Sequence, residues 1–497
     1  MNEEAASLNP RPQWRVVGWL MPRAVALCFA LAFWSWGIQC IDLVGESGIL
    51  PAASFFDAIK KAGERDGVSY FWDLPSLLYW NASDRLLVTS SWLGFGLSLL
   101  ALWRFQAVCL SAAWVLYLSH AVAGQDFMGF QWDALLLEAG ILAILLAARR
   151  FPAPPSRAFV FLLHWLVFRL MLLSGIVKLW SGDPMWEQST ALVVHFETQP
   201  LPTWIAWYTH QLPKSMLIAG CWGMYIVELA LPFVMWIGKW GRLVACAGFI
   251  GLMGGVALTG NYNFFNLLTA LLSLSLLHDD WWPSVVKGKL SLSPPESPPL
   301  ARKERWQVIV ATAVVVLSLI AADLDLAARR VTGRDAFTPK PVAEVFQKVI
   351  APWRSINAYG LFQNMTDSRI EIEVEVSTDG TTFYPLKFHW KPDDLEQKPM
   401  FVAPYQPRLD WQMWFLPFGG GRIPGWFASF LNGLAEGRSG PWNLIDRVNT
   451  KVQQSDVRAA RAVAWKYEFT TAEERSITGE WWKRSYLGAF TQVVRSR

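Results

Sequence analysis

The hydrophobic positions of this chain are grouped into long apolar runs that are separated by short polar turns. A run of about 20 mostly apolar residues is long enough to cross a bilayer as a helix. The repeated runs therefore predict a polytopic α-helical membrane bundle of about nine spans. The predicted spans lie near residues 20–41, 85–102, 105–123, 133–148, 158–180, 214–238, 241–258, 262–278 and 306–322.

Lysine and arginine residues are concentrated in every second turn between these spans. Cytoplasmic turns carry an excess of both residues, whereas the intervening turns GQDFMGFQWD and GNYN contain neither. This pattern predicts a cytoplasmic N-terminus and places everything after Asp323 on the non-cytoplasmic side. Lys60, Lys61 and Arg65 depart from it, because they lie in the first loop on that side. The loops predicted there, here called the outer loops, are 43–84, 124–132, 181–213 and 259–261.

The region after the last span has the pattern of a soluble α+β domain. RIEIEVEVS, at the start of residues 369–390, alternates apolar and acidic positions, and Asp379 and Gly380 supply a turn. We predict a strand pair whose apolar face packs on a core and whose acidic face is exposed to water. Predicted helices lie at 341–350, 425–435 and 443–463. The predicted division is a transmembrane domain at 1–280, a Pro- and Ser-rich cytoplasmic linker at 281–305, a last transmembrane helix at 306–322 and a non-cytoplasmic domain at 323–497.

Composition supports a membrane protein and excludes several other classes. The 497 residues are 53% hydrophobic and only 17% charged, and 30 of them are Trp. A net charge of +4 is mild for this length, so no nucleic-acid partner is expected. The five cysteines lie in or beside apolar runs, where we expect small buried side chains rather than disulfides or metal ligands. The first apolar run contains Arg23 and is followed by further spans, so no cleavable signal is expected.

Five polar side chains inside the predicted spans are the candidates for chemistry: Glu138, His164, Arg169, Lys178 and Glu228. Charges at this depth are costly and usually have a partner or a function. Judged by depth alone, Glu138 is expected to pair with Lys178, and Glu228 with Arg169. Such pairs would fix the arrangement of the helices. The alternative is a proton-handling or substrate-gripping site in which Lys178 acts as a base, with Glu138, or else His164 and Glu228, taking part.

No catalytic triad, phosphate-binding loop, dinucleotide motif or metal-spaced cluster of ligands is evident, so no cofactor is expected. His120, His195 and His210 fall near the outer ends of the predicted bundle, which leaves a metal site open. His164 lies too close to the cytoplasmic end to join them. Because no histidine pair has helix-ligand spacing beside a carboxylate, we predict no metal.

The outer regions are rich in aromatic and polar residues beyond what anchoring at the membrane surface requires. Exposed aromatic surface suits the binding of an apolar partner, whereas a folded outer core would bury the same side chains. We predict a surface that binds a client protein. Its predicted residues are Trp186, His195, Glu197, Trp204, Trp207, His210, Asn261, Asn263, Trp411 and Trp414.

Several segments resemble the lipase maturation factor family of polytopic membrane proteins. The matching stretches include GQDFMGFQWDALLLEAG, FRLMLLSGIVKLWSGDPMW, GNYNFFNLLT, PWRSINAYGLFQNMT and FVAPYQPRLDWQMWF. The resemblance implies a chaperone-like activity toward secreted lipases, with membrane lipids as further contacts. We expect a bacterial relative in the inner membrane, because the polar linker is short and VVRSR is not a lumenal retention signal. In a eukaryote the location would be the endoplasmic reticulum membrane.

The stretch SGIVKLWSGDPMW is also somewhat similar to the membrane segment of vitamin K-dependent carboxylase-type proteins. That weaker resemblance implies a shared helical scaffold. The alternative function is accordingly a membrane-embedded enzyme that acts on a lipid-like substrate.

Overall fold

The fold is taken from a computed structural model, which describes residues 13–148, 154–290, 305–329, 333, 335–448, 450 and 452–495. Its first part is helical. The helices are α1 (Arg15–Val44), α2 (Ala52–Asp66), α3 (Asp84–Ala101), α4 (Gln106–Ala123), α5 (Gln131–Ala147), α6 (Arg157–Leu179), α7 (Pro184–Glu187), α8 (Ala191–Thr198), α9 (Trp204–His210), α10 (Lys214–Tyr225), α11 (Leu231–Val234), α12 (Gly238–Thr259), α13 (Phe265–Ser273), α14 (Ser284–Lys289) and α15 (Arg305–Ala328). A π-helical turn, Ile226–Ala230, connects α10 to α11.

Six helical segments in the described part of the chain are long and apolar enough to cross a membrane. They are α1, α4, α6, the continuous segment Lys214–Val234, α12 and α15. The other three predicted spans correspond to α3, α5 and α13, which are less apolar or shorter. A polytopic membrane bundle is therefore confirmed, but the count of nine spans is not. Residues 291–304 of the predicted linker lie outside the described residues, and α14 lies in the part that is described.

The centre of the bundle is α1, which packs against α3, α4, α5 and α13. Its buried side chains include Phe29, Phe33 and Trp36. Gly94 of α3 lies directly over Phe33, since a Cβ at this glycine would be 2.3 Å from the Cζ atom of Phe33. The two helices can therefore approach closely only with glycine at this position.

The C-terminal part is an α+β domain. Its helices are α16 (Lys340–Val345), α17 (Arg408–Met413), α18 (Gly425–Ala435), α19 (Ser439–Asn443) and α20 (Ala472–Thr478), and its strands are β1 (Arg369–Ser377), β2 (Tyr384–Pro385), β3 (Ala459–Phe469), β4 (Trp482–Ala489) and β5 (Val494–Arg495). The sheet is antiparallel with the order β2-β1-β3-β4, and β5 pairs with β3. The predicted helices at 341–350 and 425–435 are confirmed, the first continuing as a π-helical turn at Phe346–Ile350.

Two predictions for this domain are wrong. The helix expected at 443–463 is replaced by the end of α19 and the first half of β3, which lies between β1 and β4. The acidic face of β1 is not exposed to water, because Glu371 and Glu373 are buried. Cationic side chains cover this face: Lys391 pairs with Glu371, and Arg484 pairs with Glu373.

The C-terminal domain contacts all four outer loops. Arg438 donates to the carbonyl of Gly48, and the indole of Trp414 donates to the carbonyl of Thr198. The Asn261 amide donates to the carbonyl of Met400 at 2.8 Å. The second outer loop, 124–132, is joined through Arg408, as described below. The side of the bundle that carries these loops is therefore covered by the domain.

Candidate functional site

Helix α6 carries two buried cations on opposite sides. Arg169 and Lys178 are nine residues apart, which at about 100° per residue turns them by roughly half a revolution. The guanidinium of Arg169 forms an ion pair with Glu138 of α5. The ammonium of Lys178 forms an ion pair with Glu228 in the π-helical turn. Each cation thus connects α6 to a different neighbour.

The Glu138 carboxylate also joins the bundle to the segment that leads into the C-terminal domain. Its Oε2 atom accepts hydrogen bonds from the Tyr359 hydroxyl at 2.7 Å and from the Asn357 backbone N–H at 3.0 Å. Arg169 donates to the Asn357 carbonyl at 2.8 Å. Burial raises the pKa of Tyr359 well above its usual value, and the Glu138 carboxylate adds to the effect. Tyr359 is therefore a hydrogen-bond donor at neutral pH.

The Lys178–Glu228 pair depends on close approach of α6 and the π-helical turn. Lys178 Nζ lies 2.7 Å from Oε1 and 2.6 Å from Oε2 of Glu228. Gly175 allows this contact, because a Cβ there would be 2.6 Å from Leu229 Cδ2 and 3.1 Å from Glu228 Cβ. Pro232 follows within the same segment and lacks the N–H that would continue regular α-helical bonding at Glu228.

The predicted pairing of these four charges is wrong, although all four are buried and paired. Depth along the membrane suggested that Glu138 pairs with Lys178, and Glu228 with Arg169. The partner of each cation is instead set by the face of α6 on which it lies, since α5 packs on the Arg169 side and the π-helical turn packs on the Lys178 side. Lys178 is bonded to both oxygens of its partner, which does not favour the alternative in which this lysine acts as a base.

A cavity of about 380 Å³ adjoins the Lys178–Glu228 pair. Its walls are formed by helices α6 to α10, the π-helical turn, α12 and α13, together with Tyr262 and residues 361–362. Most of the lining is apolar. Its polar side chains are those of Lys178, His195, Thr209, Glu228, Thr259, Tyr262, Asn266, Thr269 and Ser174, besides the indole of Trp186.

His195 of α8 closes one side of this cavity. Its ring packs edge-on against Phe362, with 5.1 Å between the ring centres. Burial lowers the pKa of His195 to about 4, and the positive charge of Lys178 acts in the same direction. The imidazole is therefore neutral at physiological pH.

A further buried ion pair, between Asp133 and Arg408, was not predicted from the sequence. Arg408 donates to both oxygens of Asp133 at 2.9 Å, and also to the carbonyl of Phe127 in the second outer loop. The Tyr117 hydroxyl donates to the same carboxylate at 2.5 Å. Both charged side chains are fully buried. The only signal in the sequence was a charge within each of two aromatic-rich stretches that carry the family resemblance.

Arg369 at the start of β1 forms a second connection that was not predicted from the sequence. It donates to the carbonyls of Glu197 and Pro200 at 2.8 Å each, and it pairs with Glu371. Lys391 contacts the other oxygen of Glu371 at 2.9 Å. Burial alone would lower the pKa of Lys391, but the Glu371 carboxylate raises it above its usual value. The charged face of β1 therefore binds the third outer loop.

Much of the predicted client-binding set is buried in the interface between the outer loops and the C-terminal domain. The indole N–H groups of Trp186, Trp207 and Trp411 donate to Phe362 O, Thr470 Oγ1 and Asn261 O, respectively. These three tryptophans and Asn261 and Asn263 are buried. Trp204, Trp414, His195, Glu197 and His210 are partly exposed. The buried members belong to a folded outer core, which was the other reading of the pattern.

Asn263 has a left-handed backbone with φ of 55°, which asparagine adopts more readily than most residues. Its buried side-chain atoms have no hydrogen-bond partner within the described residues. Glu197 accepts a hydrogen bond from the Phe469 backbone N–H, and its carboxylate lies 3.6 Å from His210 Nε2. Both residues therefore contribute to the outer core.

The candidate histidines have separate partners. His120 Nδ1 accepts from the Trp36 indole at 3.0 Å, and Ser90 lies 2.9 Å from its Nε2. His164 Nε2 contacts the Ser275 carbonyl at 2.8 Å. Burial lowers the pKa of His210, and Glu197 partly opposes the shift. Within the described ranges, no group of three or more His, Cys, Asp or Glu side chains is placed to hold a metal ion.

The fold and these networks define a multi-pass membrane protein whose outer loops and C-terminal α+β domain form one continuous, ion-paired outer layer. Sequence comparison identifies the family. The lipase maturation factor transmembrane domain matches residues 16–284, and the lipase maturation factor C-terminal domain matches residues 355–492. The chain belongs to the lipase maturation factor family, as its sequence resemblance predicted.

Named relatives are similar along almost the whole chain. Lipase maturation factor 2 of Homo sapiens is 29% identical over an alignment that covers 96% of this chain and 82% of the relative. Lipase maturation factor 2 of Gallus gallus is 29% identical, with 95% and 80% covered. Lipase maturation factor 1 of Bos taurus is 29% identical, with 94% and 87% covered. No solved structure is significantly similar to this chain.

Proposed function

We propose that this protein is a membrane-bound maturation factor for secreted lipases and that it acts by binding its client rather than by catalysing a reaction. The observation that carries the proposal is membership of the lipase maturation factor family, with both family domains present. The continuous outer layer supports a binding role, because it places a large folded surface beside the membrane.

The outer layer is proposed to lie on the non-cytoplasmic side, where a secreted lipase would fold. The distribution of Lys and Arg among the short turns supports this orientation. The contacts between the C-terminal domain and all four outer loops support a single compartment for these parts. We propose the bacterial inner membrane as the location.

Cysteine labelling tests this orientation directly, because all five native cysteines are buried. Ile477→Cys introduces an exposed thiol on α20, and Val285→Cys introduces one on α14. A membrane-impermeant maleimide added to intact cells should label the first variant and not the second. Labelling of Val285→Cys alone would contradict the orientation, and Ile477→Cys in permeabilised cells provides the control for thiol reactivity.

The proposed client surface consists of exposed aromatic side chains beside the partly exposed tryptophans of the predicted set. Tyr208 and Phe401 pack on Trp204, with ring centres 6.0 and 6.1 Å away. Phe418 packs on Trp414 at 4.7 Å. Tyr208, Phe401 and Phe418 are 50%, 46% and 49% exposed. Large apolar groups at the surface suit contact with the exposed apolar regions of an incompletely folded client.

A secreted lipase co-expressed with the protein provides the functional test. Deleting the protein should lower the specific activity of the secreted lipase at least several-fold. Phe401→Ser with Phe418→Ser should do the same without lowering the melting temperature of the membrane protein, since both side chains are largely outside the core. Val448→Ser is the matched control, because Val448 is 93% exposed and lies in the segment between α19 and β3. Unchanged lipase activity after deletion would refute the proposed function.

A further inference from the structure

The cavity beside the Lys178–Glu228 pair has the size and lining of a binding site for a small apolar molecule. Its volume of about 380 Å³ lies at the lower end of the range of small-molecule sites. With about 30 Å³ for each water-sized group, it holds roughly a dozen such groups. This is enough for much of one acyl chain and too little for the two chains of a phospholipid.

The charged lining is balanced. Lys178 and Glu228 are ion-paired at 2.6 Å, and the imidazole of His195 is neutral at physiological pH, because desolvation and the charge of Lys178 lower its pKa to about 4. Among the described residues that line the cavity, Lys178 and Glu228 are the groups that carry charge near neutral pH. A charged ligand would therefore lack a counter-ion, so the lining favours an uncharged occupant.

Two buried oxygen atoms of α13 point to a polar end on that occupant. Asn266 Oδ1 and Thr269 Oγ1 are buried and have no hydrogen-bond partner in the described part of the chain. Asn266 and Thr269 are three residues apart, which places them on one face of the helix, and both line the cavity. Buried polar atoms normally have partners, so these oxygens suit a ligand that brings hydroxyl groups.

Glycine residues along the wall provide access from the bilayer. Gly251 and Gly255 of α12 and Gly223 of α10 line the cavity, and a Cβ at any of them would meet nothing within 4 Å. Neighbouring side chains on the same two helices, Trp222 and Leu258, are 58% and 53% exposed and face the surroundings of the bundle. The gap between α10 and α12 therefore leads sideways toward the lipid.

We infer that this cavity binds one uncharged, single-chain lipid with a hydroxyl-bearing head, of the monoacylglycerol type, taken up laterally from the membrane. The chain lies along the glycine-lined gap between α10 and α12, and the hydroxyl groups bond to Asn266 and Thr269. This site does not depend on the proposed lipase client, and binding can be measured without any lipase.

Radiolabelled monooleoylglycerol tests the inference with the purified full-length protein in detergent. Saturable binding is expected, with competition by unlabelled monooleoylglycerol and not by ionised oleate or dioleoylphosphatidylcholine. Gly251→Leu with Gly255→Leu should weaken binding at least tenfold, because leucine side chains fill the gap. Gly254→Leu is the matched control on α12, since a Cβ there also meets nothing within 4 Å while the residue does not line the cavity.

A second variant separates the polar end from the chain. Thr269→Val keeps the side-chain shape and removes the hydroxyl group. It should therefore weaken the binding of monooleoylglycerol several-fold and leave the affinity for octadecane unchanged. The inference would be overturned if monooleoylglycerol binding were non-saturable or if Gly254→Leu weakened it as much as the double leucine variant does. It would also be overturned if the protein bound oleate or the two-chain phospholipid more tightly. Unchanged monooleoylglycerol binding in the Gly251→Leu, Gly255→Leu protein would also overturn it.

Discussion

Replacing Arg408 with methionine tests whether the buried ion pair joins the C-terminal domain to the membrane bundle. The substitution removes two hydrogen bonds of 2.9 Å to Asp133 and one of 2.6 Å to the carbonyl of Phe127. Methionine retains much of the apolar stem that lies near Trp36, whose ring centre is 5.4 Å from the guanidinium carbon. The Asp133 carboxylate would then be fully buried with Tyr117 as its remaining side-chain donor.

The expected cost follows from burial. Removing one partner of a buried ion pair costs about 3–5 kcal/mol, because the other charge is left without compensation. The lost bond to the Phe127 carbonyl adds about 1 kcal/mol. Asp133→Asn combined with Arg408→Met removes the stranded charge while the amide oxygen still accepts from Tyr117. The double variant should therefore be more stable than Arg408→Met alone, and its loss should differ from the sum of the two single losses by about 0.5–3 kcal/mol.

Thermal unfolding of the detergent-purified protein, followed by fluorescence-detected size exclusion, measures the relative stabilities of the wild type and the two variants. A chain of this size with two domains need not unfold in one step, so the prediction concerns the order of midpoints. Arg408→Met should melt lowest and the double variant between it and the wild type. Lys60→Met is the control, since Lys60 and Asp57 form a partly exposed pair at 3.5 Å. Equal melting of Arg408→Met and the wild type, or additive losses in the double variant, would refute the reasoning.

Three further outcomes are expected from the same measurement. Gly360→Ala should lower the melting midpoint, because its Cβ would lie 2.8 Å from a valine on α6, whereas Gly254→Ala should not. Burial raises the pKa of Asp393 to about 7, so between about pH 4 and pH 7 the unfolded chain ionises this carboxyl group while the folded chain keeps it protonated. The wild type should lose stability relative to Asp393→Asn across that window, and a constant difference would contradict this. Lys178→Met should reduce the yield of folded protein, because it leaves the buried Glu228 carboxylate unpaired. Adding Glu228→Gln to the same chain should restore the yield. A Lys178→Met protein that folds but is inactive would instead favour a chemical role for Lys178.

The positions of the helices were predictable because the signal is local. The spans predicted at 158–180 and 306–322 correspond to Arg157–Leu179 and Arg305–Ala328. A run of apolar residues specifies a helix in a membrane whatever its neighbours are, since the backbone must satisfy its own hydrogen bonds. The strand at 459–469 was missed for the opposite reason. Its alanine-rich start, AARAVAW, favours a helix locally, and pairing with β1 and β4 overrides that preference.

The partners of the buried charges were not predictable from spacing. Burial of Glu138 and Lys178 followed from their positions in apolar runs, but their partners depend on which helices pack against each face of α6. Asp133 and Arg408 are 275 positions apart, so no local pattern connects them. The acidic alternation of β1 was read correctly as a strand, yet its exposure was misjudged because the cations that cover it come from distant segments.

The distribution of these ion pairs constrains how the protein can act. The carboxylates of Glu138 and Asp133 lie in α5, and both accept hydrogen bonds from residues of the C-terminal part. Arg369 adds a third connection, to the outer loop at 197–200. Moving the domain away from the bundle would expose or strand several buried charges at once, and the costs of separate sites add when they are far apart. A client is therefore expected to meet a preformed outer surface, and the aromatic residues around Trp204 and Trp414 offer the exposed part of it.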